Sequence, residues 1–205
     1  YGFDPGTSIA QPFDFDDEKY LLKLDWYVAD NHRLSATYMD NDSCNATESD
    51  EELDEFEYSL HFYKRGAELK SYSVNLYSDW TDRFSTEVRY SYTDVDFLQQ
   101  SFAGKDFGEI RVELPDVDVY LGADDSRHAN KLDYDLSSFR LKGSYDLGNH
   151  VLTAGVEYES LDIFNMFVQH TETEIRFDGI DNFRNGSADA IYYNNAPSNI
   201  PVHPA

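Results

Sequence analysis

The stretch YSVNLYSDWTDRFSTEVRYSYTDVDF, residues 72–97, decides the fold because its apolar side chains recur at every second position. Tyr72, Val74 and Leu76 share one face of its first half, while polar residues occupy the other face. After the polar turn at 80–83, the same alternation resumes. A strict period of two predicts β-strands, and so short a connection requires antiparallel pairing. The stretch therefore predicts a β-hairpin with one apolar, aromatic-rich face.

The alternating pattern recurs on both sides of this hairpin. Apolar residues again take every second position at 20–38 and 131–158, in each case across a short polar turn, at 30–32 and at 146–149. No segment sustains the apolar spacing of a helix over three turns. Long segments rich in Asp, Glu, Asn and Gly separate the hairpins at 41–55, at 97–127 and beyond about 163, and short strands are expected to extend them at 57–63 and 109–121. The sequence predicts an all-β fold of antiparallel strands that alternates short turns with long connections.

This alternation of connection lengths favours a transmembrane β-barrel, in which tight turns lie on the periplasmic side and long acidic loops lie outside the cell. A soluble β-sandwich is the alternative, since its core would also contain an apolar aromatic face. About eight residues at about 3.3 Å each, tilted by roughly 40–45°, rise about 20 Å, which is close to the height of a lipid-facing band. Aromatic residues flank this band, as they do at lipid–water interfaces. The residues predicted to face lipid are Tyr72, Val74, Leu76, Trp80, Phe84, Val88, Tyr90, Tyr92, Leu152, Val156 and Tyr158.

Composition excludes several classes of partner. The 205 residues include 40 acidic and 16 basic side chains, so the formal charge of -24 would repel nucleic acids and anionic membrane surfaces. An aromatic content of 16% is too high for a disordered acidic chain. The single cysteine, Cys44, cannot form an internal disulfide. The chain begins at Tyr1 and stops in a Pro/Asn-rich tail, and we interpret it as an internal piece of a longer protein.

No catalytic, cofactor or metal site is predicted. The acidic segment ESDEELDEFE, residues 48–57, lacks the spacing of an EF-hand and is expected to be a solvated loop, although its carboxylates are the candidates for binding a ligand or Ca²⁺. Pairs such as Asp133 and Asp135 arise readily in so acidic a chain, so we expect no enzyme activity. The six histidines lack H-x-H and H-E-x-x-H spacing, and a metal site would need ligands from several strands. The candidate loop residues are Asp50, Glu51, Glu52, Asp54 and Glu55.

One stretch resembles a known family. The segment HANKLDYDLSSFRLKGSYDLGNHVLTAGVEYESLDIFNMFVQ, residues 128–169, resembles the β-barrel of TonB-dependent outer-membrane receptors of the Oar-like type, and its most specific part is 148–169. Three further stretches are similar to the same barrel: 19–42, 72–92 and 193–199. The similarity covers most of the chain, but each stretch is a barrel pattern and not a catalytic signature.

The resemblance implies a plugged barrel of about 22 strands in the outer membrane of a Gram-negative bacterium. Such a receptor imports a scarce ligand with energy from the TonB complex, and members of this type carry a carboxypeptidase-regulatory-like domain ahead of the plug. Residues 1–205 would all belong to one barrel domain, without TonB box, plug or terminal aromatic strand. The partners would be outer-membrane lipid, an unidentified imported ligand, and the TonB complex through an N-terminal part that this sequence lacks. The alternative is a secreted acidic β-sandwich that binds glycan or calcium.

Overall fold

The fold is all-β and consists of two sheets. The computed structural model describes residues 4–8, 15–48 and 52–194. Within these ranges the regular elements, besides strands, are one short α-helix and one 3₁₀ turn. No helix in the described part of the chain is long and apolar enough to cross a membrane.

The larger sheet has six strands in a simple antiparallel order, in which each strand pairs with the next long strand along the chain. Its strands are 15 to 19 residues long, or about 50–60 Å at about 3.3 Å per residue, whereas strands of globular proteins usually have 3–10 residues. The first and last strands are open edges, so the sheet does not close on itself. The strands are β1 (Phe15–Ala29), β2 (His32–Thr47), β4 (Tyr63–Thr81), β5 (Phe84–Ser101), β8 (Ala129–Asp146) and β9 (Val151–Val168).

The smaller sheet is built from the two long connections between these strands, β2 to β4 and β5 to β8, and from the segment that follows β9. Its order is β11-β10-β6-β7-β3, and it is mixed: β3 with β7 and β6 with β10 pair in parallel, while β6 with β7 and β10 with β11 pair antiparallel. All of the long connections therefore contribute to one folded unit at the same end of the larger sheet. The strands are β3 (Glu55–Glu57), β6 (Glu109–Glu113), β7 (Asp118–Leu121), β10 (Glu174–Asp178) and β11 (Ala190–Tyr192).

The hairpin predictions are confirmed, with short turns at 30–31, 82–83 and 147–150. The strands predicted within 109–121 are also present as β6 and β7. The strand predicted at 57–63 is wrong. The chain turns at 58–61, where the amide of His61 donates to the carbonyl of Tyr58 at 2.8 Å. The alternation there is too short to sustain hydrogen-bonded pairing with a neighbouring strand.

The predicted starts of the long loops are also wrong, because the strands run further. β2 continues to Thr47, β5 to Ser101 and β9 to Val168, whereas loops were expected from 41, 97 and about 163. Residues 41–47 (NDSCNAT) and 97–101 (FLQQS) lack a sustained apolar alternation, so the sequence pattern does not show that the strands continue there.

The smaller sheet has its own hydrophobic core. Ile110, Val112, Leu121 and Phe177 are buried together, and Phe183 of the helix α1 (Ile180–Asn185) places its ring 5.3 Å from that of Phe177. This core stabilises the connections as a compact unit, because aromatic and branched side chains contribute the largest apolar area. The apolar face of the larger sheet, in contrast, is not covered by the described residues.

Candidate functional site

An apolar band crosses all six strands of the larger sheet on one face. The strand registers align two neighbouring rows of side chains there, with every position apolar. Its members remain accessible: Val74 is 44% exposed, Tyr90 50% and Val156 63%. One row contains Leu24, Ala36, Val74, Tyr90, Phe139 and Tyr158, and the other contains Trp26, Leu34, Leu76, Val88, Leu141 and Val156.

Aromatic side chains border the band at both ends. On the side of the long connections, the rings of Tyr38 and Tyr72 lie 5.0 Å apart, and Tyr92 is the next residue in their row. On the side of the short turns, the rings of Phe84 and Tyr145 lie 6.5 Å apart. Trp80 lies at the same end and donates its indole N–H to Thr86 Oγ1 at 2.9 Å. All eleven residues predicted to face lipid lie on this face of the sheet.

The opposite face of the same strands is polar. Glu87 accepts an ion pair from Arg140 and a second from Lys142, each at 2.8 Å. Thr37, Ser73, Ser91 and Ser138 share one row on this face. Charged and hydroxyl side chains therefore occupy the face behind the apolar band.

The polarity of both faces inverts beyond the row of Tyr38, Tyr72 and Tyr92. The face that carries the apolar band becomes an acidic belt, and the polar face becomes apolar in the row of Leu69 and Val95, where Val95 is 2% exposed. Like charges face each other in this belt, as in the pair Asp94 and Asp135, which weakens strand pairing. The belt consists of Asp40, Lys70, Asp94, Asp135 and Asp162 in one row, and Asp42, Glu68, Asp96 and Asp133 in the next.

Three of the five acidic residues predicted to form a ligand or ion loop are described by the structure, and these three do not form a shared ion site. Asp50 and Glu51 lie outside the described residues. Glu52 and Asp54 are exposed, and Glu55 accepts a hydrogen bond from the hydroxyl of Tyr120 at 3.1 Å. In the part of the chain that the structure describes, none of these three residues belongs to a group that could share an ion.

A different set of side chains does converge, in the smaller sheet. We call Asp125, His170 and Glu174 the carboxylate–histidine cluster; Nδ1 of His170 lies 3.0 Å from Asp125 Oδ2 and 3.2 Å from Glu174 Oε2. Glu109 and Asp124 form a second group with Asp125, and the ligand atoms within each group lie within 4.8 Å of one another. These side chains come from the connection between β5 and β8 and from the segment after β9, so the cluster bridges two connections.

Local backbone structure positions the cluster. Asp124 accepts a hydrogen bond from the amide of Ser126 at 2.7 Å and so caps the 3₁₀ turn at Asp125–Arg127. Glu109 accepts from the amide of Asp125 at 2.8 Å. The turn that precedes Glu174 holds His170 at a φ of 60°, a left-handed conformation that is uncommon outside glycine.

Burial perturbs the acids around this cluster. Glu174 is 1% exposed and Glu109 is 5% exposed. Desolvation raises the pKa of Glu109 to about 8, and desolvation also raises the pKa of Asp125. Two arginines offset part of the negative charge: Arg176 pairs with Glu174, and Arg127 Nε lies 3.2 Å from Asp124 Oδ2. The cluster combines one imidazole nitrogen and several carboxylate oxygens, which is a donor set able to hold a divalent metal ion.

Sequence reasoning missed the carboxylate–histidine cluster. Asp125 lies 45 positions before His170 in the sequence, and no short metal-binding motif includes both residues. The acidic doublet at Asp124 and Asp125 was visible in the sequence, but nothing local connected it with His170. The parallel pairing of β6 with β10, which brings Glu109 beside Glu174, supplies that connection.

The chain matches no protein-family model, no curated protein and no solved structure.

Proposed function

We propose that this chain forms part of the β-barrel of a TonB-dependent outer-membrane receptor, in which the larger sheet belongs to the membrane wall and the smaller sheet to the extracellular ligand-recognition surface. The observation that carries the proposal is the inversion of polarity along the strands of the larger sheet. The imported ligand is a scarce molecule whose class the chain does not identify, and the TonB complex supplies the energy for its import.

The inversion favours a membrane barrel over a soluble sandwich. In a sandwich, the inward face of each strand stays apolar along its whole length, because one continuous core lies behind it. In a membrane barrel, the outer face is apolar only across the hydrocarbon layer, while the inner face is polar where it lines a wet lumen. Strands that extend above the membrane then meet water on their outer face. The exchange of faces near Tyr72 and Tyr92 fits the second arrangement.

The dimensions of the apolar band support the same proposal. About eight residues separate Tyr72 from Trp80, which corresponds to roughly 20 Å of height at the usual strand tilt. Tyr and Trp rings favour the lipid–water interface at both ends of such a band. The acidic belt would lie immediately outside the hydrocarbon layer, because ionised carboxylates are strongly disfavoured within it. The belt and the aromatic rows would together define the depth of the wall in the membrane.

The long connections support a role in recognition. Their strands assemble into one small sheet on the side of the acidic belt, so the loops offer a folded surface rather than separate flexible segments. Binding residues are commonly placed on loops that a rigid scaffold positions. The resemblance of 128–169 to Oar-like receptors adds the expectation of TonB-driven import.

Cysteine accessibility tests the membrane location. Asn75 and Leu76 are neighbours on β4 that lie on opposite faces of the sheet. We expect Asn75→Cys to react with a water-soluble maleimide and Leu76→Cys to react only with a lipid-soluble one, in outer membranes that carry the complete reading frame with Cys44→Ser. A water-soluble protein in which Leu76→Cys resists both reagents would support the sandwich and overturn the proposal.

Ligand screening tests the receptor role. The complete receptor in detergent is compared with a variant that lacks residues 48–57, using a panel of peptides, siderophores and saccharides. We expect binding of one class, and uptake of that class by cells only when TonB is functional. Uptake that is unchanged by inactivation of TonB would contradict the proposed import mechanism.

A further inference from the structure

We propose that Asp125, His170 and Glu174 bind a divalent transition-metal ion that clamps two of the long connections together. This site is separate from the apolar band and does not depend on the membrane location of the larger sheet. Glu109 and Asp124 lie beside it and provide further carboxylate oxygens.

The spacing of the donor atoms suits a small ion. Metal–nitrogen and metal–oxygen bonds of about 2.0–2.2 Å at tetrahedral angles place neighbouring ligand atoms about 3.3–3.5 Å apart. Nδ1 of His170 lies 3.0 Å from Asp125 Oδ2 and 3.2 Å from Glu174 Oε2. An ion would therefore require only small outward shifts of these side chains.

Two donor atoms in the carboxylate–histidine cluster lack hydrogen bonds. This observation is separate from the number of acidic residues in the cluster. The side chain of Glu174 is 2% exposed; its Oε1 pairs with Arg176, but its Oε2 accepts no hydrogen bond. Nδ1 of His170 is also buried and makes no hydrogen bond. Buried polar atoms are nearly always satisfied, and exceptions often indicate an ion. These two atoms are directed at each other and at Asp125 Oδ2, so one ion between the three would satisfy all of them.

The charge balance calls for a cation. Four carboxylates are grouped here, on Glu109, Asp124, Asp125 and Glu174, while the cationic side chains paired with them are Arg127 and Arg176. Because desolvation raises the pKa of Glu109 to about 8, at most three of these acids are ionised at neutral pH, and they exceed the paired arginines by at most one charge. Buried charges are retained when they are paired or coordinate metals. A bound cation would offset this excess.

The donor types indicate which kind of ion is bound. Ca²⁺ and Mg²⁺ prefer sites made entirely of oxygen atoms, and Ca²⁺ takes six to eight of them. An imidazole nitrogen together with carboxylates favours Zn²⁺ or another divalent transition metal. Such an ion would brace β10 against the turn at Asp125–Arg127 and so hold the smaller sheet in one arrangement.

Zinc titration of the complete protein in detergent, after removal of metal by a chelator, tests the site. We expect His170→Ala and Glu174→Gln each to bind one Zn²⁺ fewer than the unmodified protein, or to bind that ion at least tenfold more weakly. His150→Ala is the matched control, because His150 lies in an exposed turn at the opposite end of the larger sheet. Zn²⁺ binding by this variant should equal that of the unmodified protein. Ca²⁺ should not displace the Zn²⁺.

X-ray absorption of the zinc-loaded unmodified protein gives a second measurement that does not depend on whether the variants fold. We expect a shell of nitrogen and oxygen atoms at about 2.0–2.1 Å that includes an imidazole contribution. That contribution should be lost in His170→Ala wherever this variant retains its circular dichroism spectrum. Absence of zinc uptake by the unmodified protein, a shell without imidazole, or zinc uptake by both folded variants that equals that of the unmodified protein would overturn the proposal.

Discussion

Substitution of Leu76 by arginine tests the membrane depth of the apolar band. Leu76 lies four residues from Tyr72 and four from Trp80, the aromatic residues that border the band on β4. At about 3.3 Å per residue and the usual tilt, each border is about 10 Å away in depth, so Leu76 would lie at the middle of the hydrocarbon layer.

The expected cost follows from this depth. An arginine on the lipid face costs about 2–4 kcal/mol at the midplane and about 0–1 kcal/mol near an interface. We therefore expect Leu76→Arg to lower the free energy of unfolding by about 2–4 kcal/mol and Tyr72→Arg by markedly less. Ser73→Arg is the control on the polar face, where the registered neighbours are Thr37 and Ser91, and it should change stability by less than about 0.5 kcal/mol.

The assay is reversible unfolding by guanidinium of the complete protein inserted in lipid vesicles, followed by tryptophan fluorescence. A dependence of cost on depth is the signature, because truncation or charging of any position in a protein core is costly whether or not it lies near the rim. Equal costs for Leu76→Arg and Tyr72→Arg would refute the reasoning. A cost for Ser73→Arg as large as that for Leu76→Arg would also refute it.

Two further predictions concern the smaller sheet. Gly122 has a φ of 82° and an added Cβ would meet the carbonyl oxygen of Gly108, so Gly122→Ala should destabilise this sheet by more than the roughly 1–2 kcal/mol of left-handed strain alone. Gly104→Ala is its control, since φ there is 68° and the surrounding space is open; equal losses of amide-exchange protection would contradict the role of the contact. Hydrogen bonds from the amide of Asp178 and from the side chain of Asn182 lower the pKa of the Asp189 carboxyl. The ionised carboxylate therefore contributes to stability at pH values above the usual pKa of an aspartate, and this contribution is lost as pH falls through the lowered pKa. The protection factor of the Asp178 amide, which corrects for the intrinsic slowing of exchange at low pH, should fall over this pH range. This pH dependence should be absent in Asp189→Asn; an unchanged dependence in that variant would assign it to another group.

The hairpins of the larger sheet could be predicted because their information is local. Alternation at Tyr72, Val74 and Leu76 defines both the strand and its apolar face, and the short turn determines its partner. The same reasoning fails at the strand ends, since 41–47 (NDSCNAT) and 97–101 (FLQQS) belong to strands but show no sustained apolar alternation. A hydrophobicity pattern identifies the part of a strand whose apolar side chains alternate. It does not identify the part that continues with polar or mixed side chains.

The smaller sheet was only partly predictable. β6 and β7 are neighbours in the chain, and their alternation was visible. The parallel pairings of β3 with β7 and of β6 with β10 join segments more than 60 positions apart, and short strands carry no local signal of such a partner. The candidate acidic loop was chosen for its density of charge, whereas the residues that converge are sparse in the sequence.

The sequence by itself determined the all-β class, the three hairpins and the face on which the apolar side chains lie, because a period of two and a tight turn act between near neighbours. Only the tertiary structure decided where that face turns acidic across five strands, how the connections combine into a second sheet, and which acids lie beside His170. Those features depend on the register between distant segments. The carboxylate–histidine cluster forms because the parallel pairing of β6 with β10 brings Glu174 close to Asp125 in the turn at Asp125–Arg127. Burial there weakens the screening of their negative charges by water.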